Sequence, residues 1–321
     1  MRGVRLGAFG TGVFVITSAA RAEVVSLAEP CATTPAGATS CQRLSVTCGG
    51  LAPRVVEVAH YAATGTPRGA VLFGSGTVGA TFYNFTDRDT LRAAGLHVLE
   101  RRWVDGWFEG ATEGPQQAAC GLAELIEHLR AELPGSLALC ATGNSGGSVE
   151  LGYALTWHGA SASLDFALPT SGPFHRLDLA CQGESNAAWT DRCEDLRAGL
   201  CPGCASEGCQ VGGPRAHIDT AFDHVPRCTL PGAGDLAALR ARSPLFGPSV
   251  PLLVGFPVQV LVGEADPGPY LPVAAAFALG LSAAGADVSF GIVPGGEHGL
   301  DNTLEGREAI TAALLSHCGA P

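Results

Sequence analysis

The sequence predicts an α/β fold: a mostly parallel central sheet with helices on both faces and a cysteine-rich cap inserted into it. Three observations lead there. From Ser45 onward strand-like runs alternate with helix-like runs, the pattern of a parallel sheet covered on both sides. Between about Leu179 and Arg242 that rhythm stops, and six cysteines stand among many Gly and Pro with few apolar runs. Such an interval cannot build a core without cross-links, which favours a cap over a disordered loop. The chain of 321 residues is 46% hydrophobic and 15% charged, enough for one core of α/β size and unlike a disordered chain or a coiled coil.

The first 22 residues are of another kind. Arg2 and Arg5 precede an apolar run from Leu6 to about Ala19, and Ala20-Arg21-Ala22 places small residues at a cleavage point. This reads as a secretory signal peptide, with a mature chain from Glu23 in a secreted or periplasmic setting. A membrane anchor is the competing reading, but the run is shorter than the roughly 20 residues of a span and holds three glycines. The expected organisation is therefore a signal peptide over 1–22, a core domain over 23–178 and 243–321, and the cap over 179–242.

All twelve cysteines lie beyond Ala22, an even number that in an exported chain reads as up to six disulfides of open connectivity. Cys120, on a predicted helix, and Cys140, on a predicted strand, are one candidate pair. The run CPGCASEGC over 201–209 has a C-x-x-C step and with Cys193 is a candidate zinc set. Oxidation competes for those thiols outside the cytosol, so disulfides are preferred and neither metal nor organic cofactor is expected. No Lys occurs. Beyond the first segment 16 Arg face 30 acidic residues, a balance of −14 without a basic cluster. That argues against nucleic acid and anionic membrane surfaces as partners, and leaves the oligomeric state open.

The elements follow in order. RVVEVAHYAA alternates with period two, TPRG turns the chain, and AVLFGSG is a short apolar run closed by glycine. FTDRDTLRAAG reads as a helix ended by Gly95, and LHVLERRWV as the next strand. Ala118, Leu122, Leu125, Ile126, Leu129 and Leu133 fall on one face of the clearest helix, which Pro134-Gly135 stops. SLALCATG is a buried strand, GSVELGYALTWHG a helix apolar on most sides, and LDFALPTSG another strand. Past the cap come the strand FPVQVLVGEAD, the helix LPVAAAFALGLSAAG, the strand DVSFGIVPGG and a closing helix around EGREAITAALLSHC.

On this frame Gly143-Asn144-Ser145-Gly146-Gly147 fits G-x-S-x-G between a strand and a helix, the context of a nucleophile elbow rather than of an ordinary Gly/Ser turn. A serine hydroxyl needs a base to take its proton and an acid to orient that base. His298, in VPGGEHGLDN after the last strand, is the candidate base. His175, His217 and His224, in or near the cap, could contribute to a pocket. Asp266, in VLVGEADPGPY after the preceding strand, is the candidate acid, with Glu264 as a rival two residues away. All three candidates stand at carboxyl ends of strands, where open α/β sheets place their ligands.

In these residues, in the order serine, aspartate, histidine, the sequence resembles the α/β-hydrolase superfamily over nearly the whole mature chain, and in CATGNSGGS its secreted members. The resemblance implies Ser145 as nucleophile, Asp266 as acid and His298 as general base. Acyl transfer also needs donors for the developing oxyanion. One is the backbone N–H of Gly146; the other comes from the loop after the third strand, Gly74-Ser75-Gly76-Thr77, with Ser75 or Gly76 favoured. The loop lacks the histidine that often leads the family's glycine motif. Trp103 and Trp107, beyond the fourth strand, either wall the substrate pocket or pin a long loop in the core.

The expected activity is therefore that of a secreted serine hydrolase acting on carboxylic esters, small or polymeric, through an acyl-enzyme. The alternatives are a secreted peptidase or amidase with the same triad, and an inactive binding protein on the same scaffold. The cap is the expected determinant of substrate choice, and its cross-links predict a rigid cover.

Overall fold

The computed structural model describes residues 23–48, 50–172, 175–182, 215–247, 253–266 and 270–319. The expected signal peptide, four of the six cap cysteines and the candidate zinc set lie outside the described residues.

Nine strands form one sheet: β1 (Glu23–Ser26), β2 (Ser40–Thr47), β3 (Arg54–Tyr61), β4 (Gly69–Gly74), β5 (Leu96–Trp103), β6 (Ala138–Asn144), β7 (Phe166–Thr170), β8 (Pro257–Gly263) and β9 (Asp287–Val293). Their order is β1-β2-β3-β5-β4-β6-β7-β8-β9. The three pairings from β1 to β5 are antiparallel and the five from β5 to β9 are parallel. Mostly parallel is thus correct, with an antiparallel flank that the sequence reading did not resolve.

Helices cover both faces. Alternate residues of each strand divide between two apolar cores, as a period of two requires. Ala70 and Leu72 of β4, Leu139 and Ala141 of β6, and Val258, Val260 and Val262 of β8 face one core. That core is closed by α3 (Cys120–Glu132), α4 (Gly146–His158) and α8 (Tyr270–Ala283). Val71, Phe73, Cys140, Leu168 and Leu261 face the other, against α1 (Arg88–Ala93) and α9 (Leu304–Cys318). The long helix read from the sequence is divided, because a short α2 (Pro115–Ala118) ends at Ala119 before α3 begins.

Four disulfides join described residues: Cys31–Cys41, Cys48–Cys120, Cys140–Cys318 and Cys181–Cys228. This corrects the candidate pair Cys120–Cys140. Cys140 points to the α9 face of the sheet, whereas Cys120 begins a helix on the opposite face. The sheet itself separates them.

The insertion between β7 and β8 carries three short helices among its described residues: α5 (Leu177–Gln182), α6 (Arg215–Thr220) and α7 (Ala233–Ala241). Its two feet meet. The Leu177 N–H donates to Ser243 Oγ at 2.8 Å, while Tyr153 Oη of α4 donates to the Arg242 carbonyl at 3.0 Å. Cys181–Cys228 ties α5 to the segment before α7. Among described residues, no helix is long and apolar enough to cross a membrane.

Candidate active site

Ser145 stands between the end of β6 and the first turn of α4 with φ 50° and ψ −115°. A non-glycine side chain is rarely held at positive φ, and here the crowding around it maintains the strain. A Cβ on Gly143 would lie 2.5 Å from the carbonyl of Gly147, one on Gly147 would run into the Gly74 carbonyl, and one on Gly146 into that of Thr77. Each glycine of the pentapeptide is therefore demanded by close backbone approach as the strand doubles back into the helix.

Three sequence-predicted side chains meet at this turn. His298 Nε2 lies 2.9 Å from Ser145 Oγ, and His298 Nδ1 lies 3.0 and 3.2 Å from the two carboxylate oxygens of Asp266. Asp266 is fully buried, whereas the histidine side chain keeps 32% of its surface. The carboxylate partner fixes the tautomer: Nδ1 carries the proton and donates to Asp266, leaving Nε2 to accept from the serine hydroxyl. The rival Glu264 turns elsewhere and accepts from the Gly295 N–H at 3.0 Å. The ring of Tyr270 packs on His298 at a centroid distance of 4.2 Å. Burial, and then the nearby charge of Asp266, push its phenol above the usual range, so it is neutral.

The hydroxyl faces a cavity of about 280 Å³ lined by Thr77, Phe108, Pro115, Ser145, Gly146, Val149, Gly172, Leu177, His217, Ile218 and Tyr270. Several groups of the chain converge there: the loop after β4, the segment after β5, the elbow, α5 and α6 of the insertion, and the start of α8. Of the histidines placed in or near the cap, His217 reaches the cavity. His175 lies edge-on against Phe246, and His224 is exposed.

Other expected site residues fall differently. Ser75 is buried and its Oγ donates to the Thr81 carbonyl at 2.6 Å. A Cβ on Gly76 would lie 3.4 Å from that of Ser145. Thr77, at φ 53°, is the residue of this loop that lines the cavity. Its left-handed conformation leaves no mark in the sequence. Trp103 and Trp107 are 1% and 0% exposed, and neither lines the cavity. Trp103 Nε1 donates to Glu150 at 2.8 Å and Trp107 Nε1 to the Thr77 carbonyl at 3.4 Å. Of the two readings of these tryptophans, the structure gives the core one, with Phe108 as the aromatic wall instead. Ile218 and Leu177 went unnoticed because they sit in short helices of a segment with little apolar periodicity.

No protein-family model matches the chain, and no curated protein matches it by sequence. Solved structures are similar in fold. A highly thermostable carboxyl esterase from Bacillus coagulans is 17% identical, the match covering 86% of this chain and 97% of that one at a TM-score of 0.51. The carboxylesterase EstE1, cloned from a metagenomic library, is 14% identical over 90% and 92% at a TM-score of 0.53. A Pyrococcus horikoshii acylaminoacyl peptidase is 13% identical at a TM-score of 0.57, with 88% of this chain covering 43% of that one. At these identities the likeness concerns architecture. With its sheet order, its strand-turn-helix at Ser145 and its insertion between β7 and β8, the chain has the α/β-hydrolase fold.

Proposed function

We propose that the protein is an exported serine hydrolase that cleaves carboxylic esters through an acyl-enzyme. The observation that carries this reading is the hydrogen-bonded line from Asp266 through His298 to Ser145, ending at an apolar cavity. As Ser145 Oγ attacks the ester carbonyl, His298 Nε2 takes its proton and Asp266 stabilises the imidazolium. The carbonyl oxygen becomes anionic. It is met by the N–H of Gly146 at the start of α4 and by an N–H of the loop after β4. The cavity lining favours Thr77 of that loop over Ser75. Collapse expels the alcohol with the proton from His298, and water then repeats the sequence to release the acid.

Export is supported by four disulfides among the described residues, since such bonds persist in oxidising compartments. The test is Ser145→Ala in purified, oxidised protein. Turnover of a short p-nitrophenyl ester should fall by at least about 10⁴-fold with an unchanged thermal transition. An alanine variant with parental turnover contradicts the assignment. A matched panel of esters and anilides separates esterase from amidase, because both reactions use the same three residues.

A further inference from the structure

Beneath the loop after β4 lies a charged cluster that the proposed chemistry does not use. Arg101 of β5 and Glu150 of α4 form an ion pair with side chains 1% and 0% exposed. Arg54 of β3 joins them, its guanidinium donating to the carbonyls of Trp107 at 2.5 Å and Ala118 at 2.6 Å. Trp103 bridges the three: its Nε1 donates to Glu150, and the Arg54 and Arg101 guanidinium carbons lie 4.9 and 5.9 Å from its ring centre. Burial raises the Glu150 carboxyl above its ordinary range and lowers both arginines, Arg54 to about 10, while attraction to Glu150 opposes the fall. Two guanidinium groups, that of Arg101 buried and that of Arg54 half-buried, face one carboxylate, an excess of positive charge.

Removing charges from water is costly, and replacing a buried ion pair by apolar groups is often neutral or stabilising. Stability alone gives weak reason for this cluster. Its location gives a better one. The loop Gly74–Gly79 stands on the guanidinium of Arg101 at both ends: a Cβ on Gly74 would lie 2.6 Å from Nη2, and one on Gly79 2.9 Å from Nη1. Among the described residues Arg101 Nη1 has no hydrogen-bond partner, although it is buried. The residues around the cluster hold the same loop. The N–H of Trp103 donates to the Gly79 carbonyl at 2.9 Å and that of Trp107 to Val78 at 2.8 Å. Glu150 lies on α4, five residues after the serine, so one ion pair spans the loop support and the helix that begins at the elbow.

We propose that Arg101, clamped by Glu150 and backed by Arg54, is a positioning residue that fixes the loop after β4 and keeps positive charge behind its backbone donors. It rests on the serine-hydrolase reading above, and acts on the step in which negative charge grows on the substrate oxygen. Preorganised donors and fixed charge help there because they need no rearrangement as the reaction proceeds.

The test combines the double variant Arg101→Met, Glu150→Leu with the single variant Arg101→Lys. Each is examined for thermal transition, kcat and KM on a p-nitrophenyl ester, and inhibition by a trifluoromethyl ketone, whose adduct carries an oxyanion. In the folded double variant kcat should fall by about 10²-fold, the scale of losing one oxyanion donor. KM should stay within about threefold, and inhibitor affinity should weaken in proportion to kcat/KM. A folded double variant with kcat and inhibition within twofold of the parent overturns the proposal. If it does not fold, Arg101→Lys decides: it retains the charge but loses the fork under both glycines, so kcat should fall about tenfold, and unchanged kcat overturns the idea. Labelling of the parent by a fluorophosphonate separates the two levels. An unlabelled parent removes the serine-hydrolase reading itself, whereas a labelled parent with indifferent variants removes this inference alone.

Discussion

The carboxyl edge of the parallel sheet and the insertion between β7 and β8 meet at one cavity, but they are built by different means. At the sheet edge each polar group is held by regular structure. Ser145 follows β6, Asp266 and His298 follow β8 and β9, and close-packed glycines constrain the backbone at the elbow. Among its described residues the insertion packs apolar side chains such as Leu177, Ile218, Phe222 and Leu239 into the core, but its polar ties are few: a disulfide at Cys181–Cys228, the bond joining its feet at Leu177 and Ser243, and Asp219. That carboxylate accepts the N–H groups of Cys228 and Thr229 at 2.6 and 3.1 Å. Chemistry requires placement within tenths of an ångström, which a sheet supplies. Under the proposed function the insertion has only to present a shaped wall to the substrate, and cross-linked short helices are sufficient.

Substitutions at the edge should therefore abolish turnover, and substitutions in the insertion should redirect it. The largest effect is expected for Asp266→Asn and His298→Gln. Both should lower kcat by about 10⁴-fold or more, with a retained fold by circular dichroism; a decrease below tenfold would place the proton transfer elsewhere. Next comes Gly146→Ala, whose added carbon meets the Thr77 backbone. The elbow and the loop must then move apart, and kcat should drop by at least tenfold. Retained activity would show that this contact does not set the geometry.

In the insertion, Ile218→Ala enlarges the cavity. The ratio of kcat/KM for a hexanoyl over an acetyl ester should rise about tenfold, since a methylene in an apolar pocket discriminates on that scale. An unchanged ratio would mean that acyl groups do not reach α6. The disulfides extend the same contrast. Cys140–Cys318 closes 178 residues and fastens α9 to β6 in the sheet, whereas Cys181–Cys228 closes 47 within the insertion. Replacing the first pair by alanine should cost about 3–5 kcal/mol of global stability. Replacing the second should alter substrate preference more than the main thermal transition.

The smallest expected effect is on stability in acid. His158, His60, His97 and His175 all have imidazoles held below their ordinary value chiefly by burial, so the folded chain binds protons less readily than the unfolded one. Stability is full above the unfolded value of about 6.5 and declines as pH falls toward the depressed folded values. His158 accounts for part of this, although its Nε2, 2.6 Å from the Gln116 carbonyl, has there an acceptor that favours the proton and opposes the fall. The thermal transition should fall between pH 7 and 5, less steeply in His158→Gln; an equal slope would assign the decline to other groups.

The same division explains what could be read in advance. The parallel strands β4, β6 and β7 are buried on both faces and appear as apolar runs, β8 and the half-buried edge strand β9 are still rich in Val, and the three polar candidates follow β6, β8 and β9, so they were legible. β1 is mostly exposed and the start of β2 half so, which leaves an antiparallel flank with little hydrophobic signal. The cysteine pairing failed for want of one fact. Strand alternation puts Cys140 opposite Leu139 and Ala141, but the sequence does not show which helix crosses to which face. The tryptophans were ambiguous because their burial depends on distant partners: Trp103 donates to Glu150 of α4, and Trp107 to the Thr77 carbonyl of the loop after β4. Thr77 owes its place to a backbone conformation that composition does not encode.

The measurement closest to the central claim is the site of covalent capture by a fluorophosphonate, read by intact mass and peptide mapping on the oxidised protein. One adduct on Ser145, lost in Ser145→Ala and strongly slowed in His298→Gln, is the expected result. An adduct on another residue, or none on folded parental protein, would contradict the assignment of Ser145 as the nucleophile.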